Sequence, residues 1–126
     1  MTYSKHSSRS TAEAEARLRE AAVRHKFGIL NVLDVKETLK SKGIDLGTPC
    51  RVYDVCNPKV AAAALTTEMR ISTVLPCRIS VFGSGDGCTI ATVKPMDLLR
   101  ATGLEGVEEL AAEIEKEIVA MIDEAA

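Results

Sequence analysis

The sequence predicts an α+β fold, in which helices pack on one face of an antiparallel sheet of four to five strands. Two observations lead to this prediction. Segments with alternating apolar and polar residues, typical of half-buried strands, lie between segments with apolar residues at spacings of three and four, typical of amphipathic helices. A glycine-rich connection at 83–87 joins the last two predicted strands as a hairpin. At 126 residues, with no repeat or linker, the chain is expected to form one domain, residues 1–126.

Local signals define the elements of the first half. Ser10 and Asp34 are predicted N-caps, because each is followed three positions later by a glutamate, the spacing of a capping box. Gly28 is the expected left-handed end of the first helix, and Gly43 follows the second. A weakly alternating edge strand precedes the first helix, and a short β-branched strand separates the two helices. The predicted elements are strand 2–7, helix 11–26, strand 29–33 and helix 35–40.

The second half begins with a clearly alternating strand. Asn57 and Pro58 then predict a helix start, because asparagine is a good cap and proline fits the first helical position. An irregular stretch, 68–76, precedes the two hairpin strands. The last helix has the strongest amphipathic stripe, which includes Ile118 and Met121. The predicted elements are strand 51–56, helix 58–67, strands 77–82 and 88–93, helix 95–101 and helix 107–124.

Composition excludes several functional classes. With 16 basic and 18 acidic residues, and two Phe, two Tyr and no Trp, the chain has neither the basic face nor the stacking surface of a nucleic-acid-binding protein. No apolar run approaches the length of a membrane-spanning helix, and the polar N-terminus has no signal-peptide pattern. We therefore expect a cytoplasmic protein with no nucleic-acid or membrane partner, whose four cysteines are not structural disulfides.

Two cysteines are the residues whose arrangement points most directly to chemistry. Cys56 ends a predicted strand just before a helix N-terminus, where partial positive charge stabilises a thiolate, and Cys77 begins another strand. If these strands pair antiparallel, as we favour, both thiols lie at the same edge of the sheet. Asn57 and Arg78, next to the cysteines, complete the candidate ligand or redox site.

Two interpretations of these cysteines stand side by side. As a functional pair they would support thiol redox chemistry, or would hold a soft metal, zinc or copper(I), with no cofactor required otherwise. Alternatively they only pack, as buried free cysteines often do. No Cys-x-x-Cys motif, phosphate loop or acid–base constellation occurs, so catalytic residues are not assigned and an enzyme is the less favoured class.

Four stretches of the chain resemble the family called domain of unknown function 302, over about residues 3 to 122. The resemblance implies an α+β fold similar to one half of a TATA-binding protein, with the order β-α-β4-α, and does not imply DNA binding. It further implies homodimers and a link to sulfur or thiol metabolism, and it favours a site at Cys56 and Cys77. The matching stretches are 27–30, 34–40, 53–59 and 75–81.

Two other functional classes stay open. In a non-catalytic binding module, a pocket between sheet and helices would hold a small organic ligand, and the cysteines would merely line its wall. In an interaction protein, the functional part would be a dimer surface or the apolar stripe of the last helix.

Overall fold

Five strands form one sheet, and every neighbouring pair in it is antiparallel. The computed structural model describes residues 1–126. The strands are β1 (Thr2–Ser7), β2 (Gly28–Asp34), β3 (Cys50–Cys56), β4 (Cys77–Ser84) and β5 (Gly87–Val93). They lie in the order β1-β5-β4-β3-β2, so the N-terminal strand is at one edge, as expected for 2–7.

Five α-helices and one 3-10 helix connect and cover the strands. They are α1 (Thr11–Arg24), α2 (Val35–Ser41), α3 (Pro58–Thr67), the 3-10 helix (Met69–Val74), α4 (Pro95–Thr102) and α5 (Glu108–Ala125). When the short α2, α3 and α4 are set aside, the order of elements is β-α-β4-α, as the resemblance implied. The stretch 68–76, predicted to be irregular, contains the 3-10 helix.

The predicted helix caps form in the structure. The side chains of Ser10, Asp34 and Asn57 each accept a hydrogen bond from the backbone N–H three residues later, at 3.1, 3.0 and 3.3 Å. Each cap satisfies one of the N–H groups that a helix start leaves without an intrahelical partner.

The prediction that Gly28 ends α1 was wrong. The left-handed residue is Lys26, with φ of 62°, and Gly28 is already the first residue of β2. The N–H of Phe27 donates to the carbonyl of Ala22 at 2.8 Å, so the chain closes the helix earlier than the glycine signal indicated. The side chain of Phe27 is 5% exposed, and its burial accompanies this early turn.

Helices α1 and α5 cover one face of the sheet and form the main core with it. Three residues of the α5 stripe, Ile118, Met121 and Ile122, are fully buried. The second half of the stripe is therefore core, whereas Leu110 and Ile114 in its first half remain partly exposed. The sheet contributes the buried residues Tyr53, Val55, Ile79, Val81, Cys88 and Ile90.

A second, smaller hydrophobic cluster lies apart from this core. It consists of Ala64 of α3, Ile71 of the 3-10 helix, Leu99 of α4, and Val107 immediately before α5. On the sheet face opposite α1 and α5, neighbouring side chains such as Val52, Ser80, Phe82 and Ala91 remain partly exposed.

A buried polar network links α1 to β3. Glu15, which is 6% exposed, accepts a hydrogen bond from the hydroxyl of Tyr53 at 2.6 Å and another from Arg51 at 3.0 Å. Burial, together with the hydrogen bond to Glu15, raises the pKa of Tyr53 to about 12. Because both carboxylate oxygens have partners, the charge of Glu15 is compensated despite its burial.

His25, the C-cap of α1, joins this helix to α5. One ring nitrogen contacts Glu117 and the other contacts Glu124, which also accepts from Arg24 at 2.8 Å. Burial alone would lower the pKa of His25, but the hydrogen bonds and negative charges of Glu124 and Glu117 outweigh it and raise the pKa. An imidazolium that donates through both nitrogens therefore connects the two helices that cover the sheet.

This arrangement predicts a pH-dependent part of the stability. Because the folded-state pKa of His25 is raised, its contribution is complete below the unfolded value of about 6.5 and is lost as pH rises through the folded value. We expect His25→Gln to lower the free energy of unfolding at pH 6 by about 1.5–3 kcal/mol, the range for hydrogen bonds to charged groups. Urea unfolding between pH 6 and pH 9 measures this effect. The difference in the free energy of unfolding between wild type and variant should shrink toward pH 9. A difference that stays constant would contradict the prediction. The control variant is His6→Gln, which replaces the other histidine.

Candidate functional site

An apolar cavity of about 350 Å³ lies between the main core and the second cluster. Phe27 and Val55 of the main core form part of its wall, and all four residues of the second cluster form another part. Leu30, which is 62% exposed, and the exposed Ser72 also line it, so the cavity opens to solvent beside these residues.

The chemical character of the cavity wall is strongly apolar. Of 22 lining residues, 18 are hydrophobic, and the other four are Asn57, Ser72, Pro76 and Pro95. No charged side chain lines the cavity. A charged ligand buried here would lose its hydration without gaining a compensating partner, so the wall favours uncharged molecules.

The sequence of α3 explains why the space is not filled. Val60, Ala61, Ala64 and Leu65 line the cavity, and their spacing places them on one face of the helix. The two alanines, which belong to the run from Ala61 to Ala64, occupy positions where longer side chains would extend into the space.

The structure brings Cys56, Asn57 and Cys77 to this cavity, where all three are lining residues. Strands β3 and β4 pair antiparallel, as predicted, with Val55 directly opposite Cys77 and Cys56 next along the strand. The two cysteines therefore lie at the same end of this strand pair, where β3 ends and β4 begins. Both are free thiols.

The surroundings of Cys77 favour its protonated form. Burial, with a smaller effect from the neighbouring Cys56, raises the pKa of Cys77 to about 11. Cys77 is therefore a neutral thiol near pH 7. Asn57 uses its side-chain oxygen to cap α3 at 3.3 Å, and its amide nitrogen donates no hydrogen bond within the protein.

Arg78, which the sequence grouped with these residues, lies outside the cavity wall. It is 70% exposed and contacts Asp54 on the neighbouring strand at 3.4 Å. The reason is the alternation of a strand: residues next to each other point to opposite faces of the sheet, so Cys77 and Arg78 are separated.

The other two cysteines are separate from the cavity. Cys88 is fully buried in the main core, and Cys50 pairs with Phe82 at the other end of β3. No cluster of three or more His, Cys, Asp or Glu side chains has an arrangement suited to a metal ion. None of the helices combines the length and the continuous apolar character that spanning a bilayer requires.

Sequence reasoning missed most of the cavity wall, particularly its residues in the 3-10 helix, α4 and the first half of α5. The available signal was the apolar character of the stretch predicted to be irregular, in which Ile71, Val74 and Leu75 all line the cavity. Apolar residues in a segment without regular periodicity indicate burial, but they do not indicate what they are buried against.

Comparison with known proteins identifies the family. The model of the domain of unknown function DUF302 matches residues 3–125. A crystal structure of an uncharacterized conserved DUF302 protein from Bacillus stearothermophilus has a TM-score of 0.94 and 32% sequence identity, covering 99% of this chain and 98% of that one. None of the curated proteins matches the chain. Because both the family model and the solved structure match nearly the whole chain, this protein belongs to the DUF302 family.

Proposed function

We propose that this protein is a non-catalytic binding module that holds a small uncharged apolar molecule in the cavity. The observation that carries the proposal is a space of about 350 Å³ whose wall contains no charged side chain. Ligand sites in proteins are typically concave and mostly apolar, with a few polar groups that orient the ligand. Here those polar groups are Asn57 and Ser72, together with the two thiols.

The size of the cavity limits the ligand. An engineered apolar cavity of about 150 Å³ holds benzene, so the present space corresponds to roughly fourteen non-hydrogen atoms. Nucleotides and sugars are disfavoured by chemistry, because they carry charges or many hydroxyl groups that this wall cannot pair. The ligand class that fits is a hydrocarbon-like molecule with at most one or two polar atoms.

A cavity-filling variant tests this function. We expect Ala64→Leu to weaken binding of the neutral naphthalene dye prodan about tenfold or more, because overpacking a filled site costs about 1–3 kcal/mol. Dye fluorescence measures the affinity. Ala62→Leu, on the exposed side of α3, is the matched control and should leave binding unchanged. Equal affinities for the two variants, or no binding by the wild type, would refute the cavity as the site.

A paired thiol site is the second candidate function, and the shared cavity wall of Cys56 and Cys77 is the observation that favours it. In this version the pair takes part in thiol or sulfur redox chemistry, or holds zinc or copper(I). Four free cysteines also suit a reducing compartment, so a cytoplasmic location belongs to the same proposal.

Single cysteine variants separate the two candidates. If the cavity binds apolar ligands, Cys56→Ser and Cys77→Ser should each retain prodan affinity within about threefold, because one sulfur contributes little apolar area. Iodoacetamide should modify native Cys77 at least tenfold more slowly than free cysteine, since its high pKa leaves little thiolate. Peptide mass mapping measures the rates. A one-to-one zinc or copper(I) complex that is lost in either variant would instead favour the metal-binding version.

The expected homodimer is proposed to use the sheet face opposite α1 and α5. That face has partly exposed Phe82 and Val52, whereas a solvated face is usually polar. Asp54 and Arg78 carry opposite charges on the same face, so a twofold-related copy can place each against its counterpart.

Substitution on this face tests the dimer. We expect the wild type to be a dimer and Phe82→Lys to be a folded monomer, because two buried lysines would face each other across the axis. Light scattering after size-exclusion chromatography measures the mass, and circular dichroism checks the fold. Val23→Lys, at an exposed apolar position of α1, is the control and should remain dimeric. A dimeric Phe82→Lys protein would refute this surface.

A further inference from the structure

We propose that Cys56 is a nucleophile that captures aliphatic α,β-unsaturated aldehydes whose hydrocarbon chain occupies the cavity. This inference rests on the proposed function, because the cavity supplies the affinity for the chain. It adds a covalent step and a more specific ligand class: an alkyl chain that ends in a conjugated carbonyl group.

The polar and reactive groups of the wall support this class. Cys56, Asn57 and Cys77 are gathered where β3 ends and β4 begins, whereas Ser72, the remaining polar residue, is exposed. An apolar chain in the cavity therefore meets two thiols and one amide at the same end. Because these polar groups are confined to one end of the cavity, the wall suits a ligand that is polar at only one end.

Asn57 offers the donor that a carbonyl oxygen needs. Its side-chain oxygen is committed to the backbone N–H of Val60, and this bond orients the amide. The amide nitrogen has no acceptor within the protein, and Asn57 lines the cavity next to Cys56. A ligand carbonyl is a complementary acceptor for this donor, which is otherwise accessible to water.

The two thiols are not equivalent as nucleophiles. Burial holds Cys77 in the neutral form near pH 7, and a thiol reacts far more slowly than a thiolate. Cys56 ends β3 immediately before Asn57, the N-cap of α3, and lines the cavity together with Asn57. We therefore assign the bond-forming step to Cys56.

The reaction is an addition with no redox change and no leaving group. The sulfur of Cys56 forms a bond to the β-carbon of the enal while the carbon–carbon π bond breaks. The electron pair moves to the carbonyl oxygen, and the amide of Asn57 hydrogen-bonds the resulting enolate. The proton released by the Cys56 thiol finally returns to the α-carbon, so the net result is addition of S–H across the double bond.

Chain-length dependence tests the inference, with Cys50 as an internal control. The wild-type protein is treated separately with 2-pentenal and 2-nonenal. Both carry the same conjugated aldehyde, and their chains differ by four methylenes. Peptide mass mapping gives the rates at Cys56 and at Cys50, which does not line the cavity. We expect the Cys56-to-Cys50 rate ratio to rise at least tenfold from pentenal to nonenal, since each buried methylene is worth up to about fourfold in affinity.

Two variants and one binding measurement complete the test. Asn57→Ser keeps a good cap for α3 but removes the amide donor without adding a charge, and it should slow addition at Cys56 about tenfold relative to addition at Cys50. Ala64→Leu should reduce the chain-length effect. An unchanged rate ratio for the two aldehydes, in a protein that binds prodan, would overturn covalent capture and leave the binding module intact. Absence of prodan binding would overturn both.

Discussion

The packing of α1 and α5 over one face of the sheet is the constraint on which the rest of the structure depends. Alanines of α1, such as Ala14 and Ala21, are fully buried and let the helix approach the strands closely, while the apolar stripe of α5 fills the adjoining space. Because this face is already covered, the apolar side chains of α3, the 3-10 helix and α4 must be buried elsewhere. They gather at the end of the sheet where β3 stops and β4 starts.

The cavity is the boundary between these two hydrophobic clusters. Because the space of about 350 Å³ opens to solvent beside Leu30 and Ser72, it is a cleft between the two clusters and not a closed void in the core. The small residues Ala61 and Ala64 maintain the space from the α3 side. The same boundary contains both candidate thiols, which links the two functional candidates to one place in the fold.

Local signals predicted the elements because they depend on residues close in sequence. The caps at Ser10, Asp34 and Asn57 could be recognised from three-residue spacing, and the strand alternation from a period of two. The end of α1 could not, because the burial of Phe27 prevailed over the glycine signal at Gly28. The hairpin strands followed from sequence patterns, and the structure confirms the antiparallel pairing of β3 with β4 that the sequence favoured without deciding.

The sequence by itself determined the α+β class, the helix starts, the family, and the proximity of Cys56 to a helix N-terminus. Only the tertiary structure decided that Arg78 lies outside the cavity wall, that the second half of the α5 stripe is core, and that a cavity lies between two clusters. The physical reason is the distance along the sequence over which each interaction acts. Caps and periodicity act over a few residues, whereas a cavity is the space left by side chains that are distant in sequence, such as Phe27 and Val107.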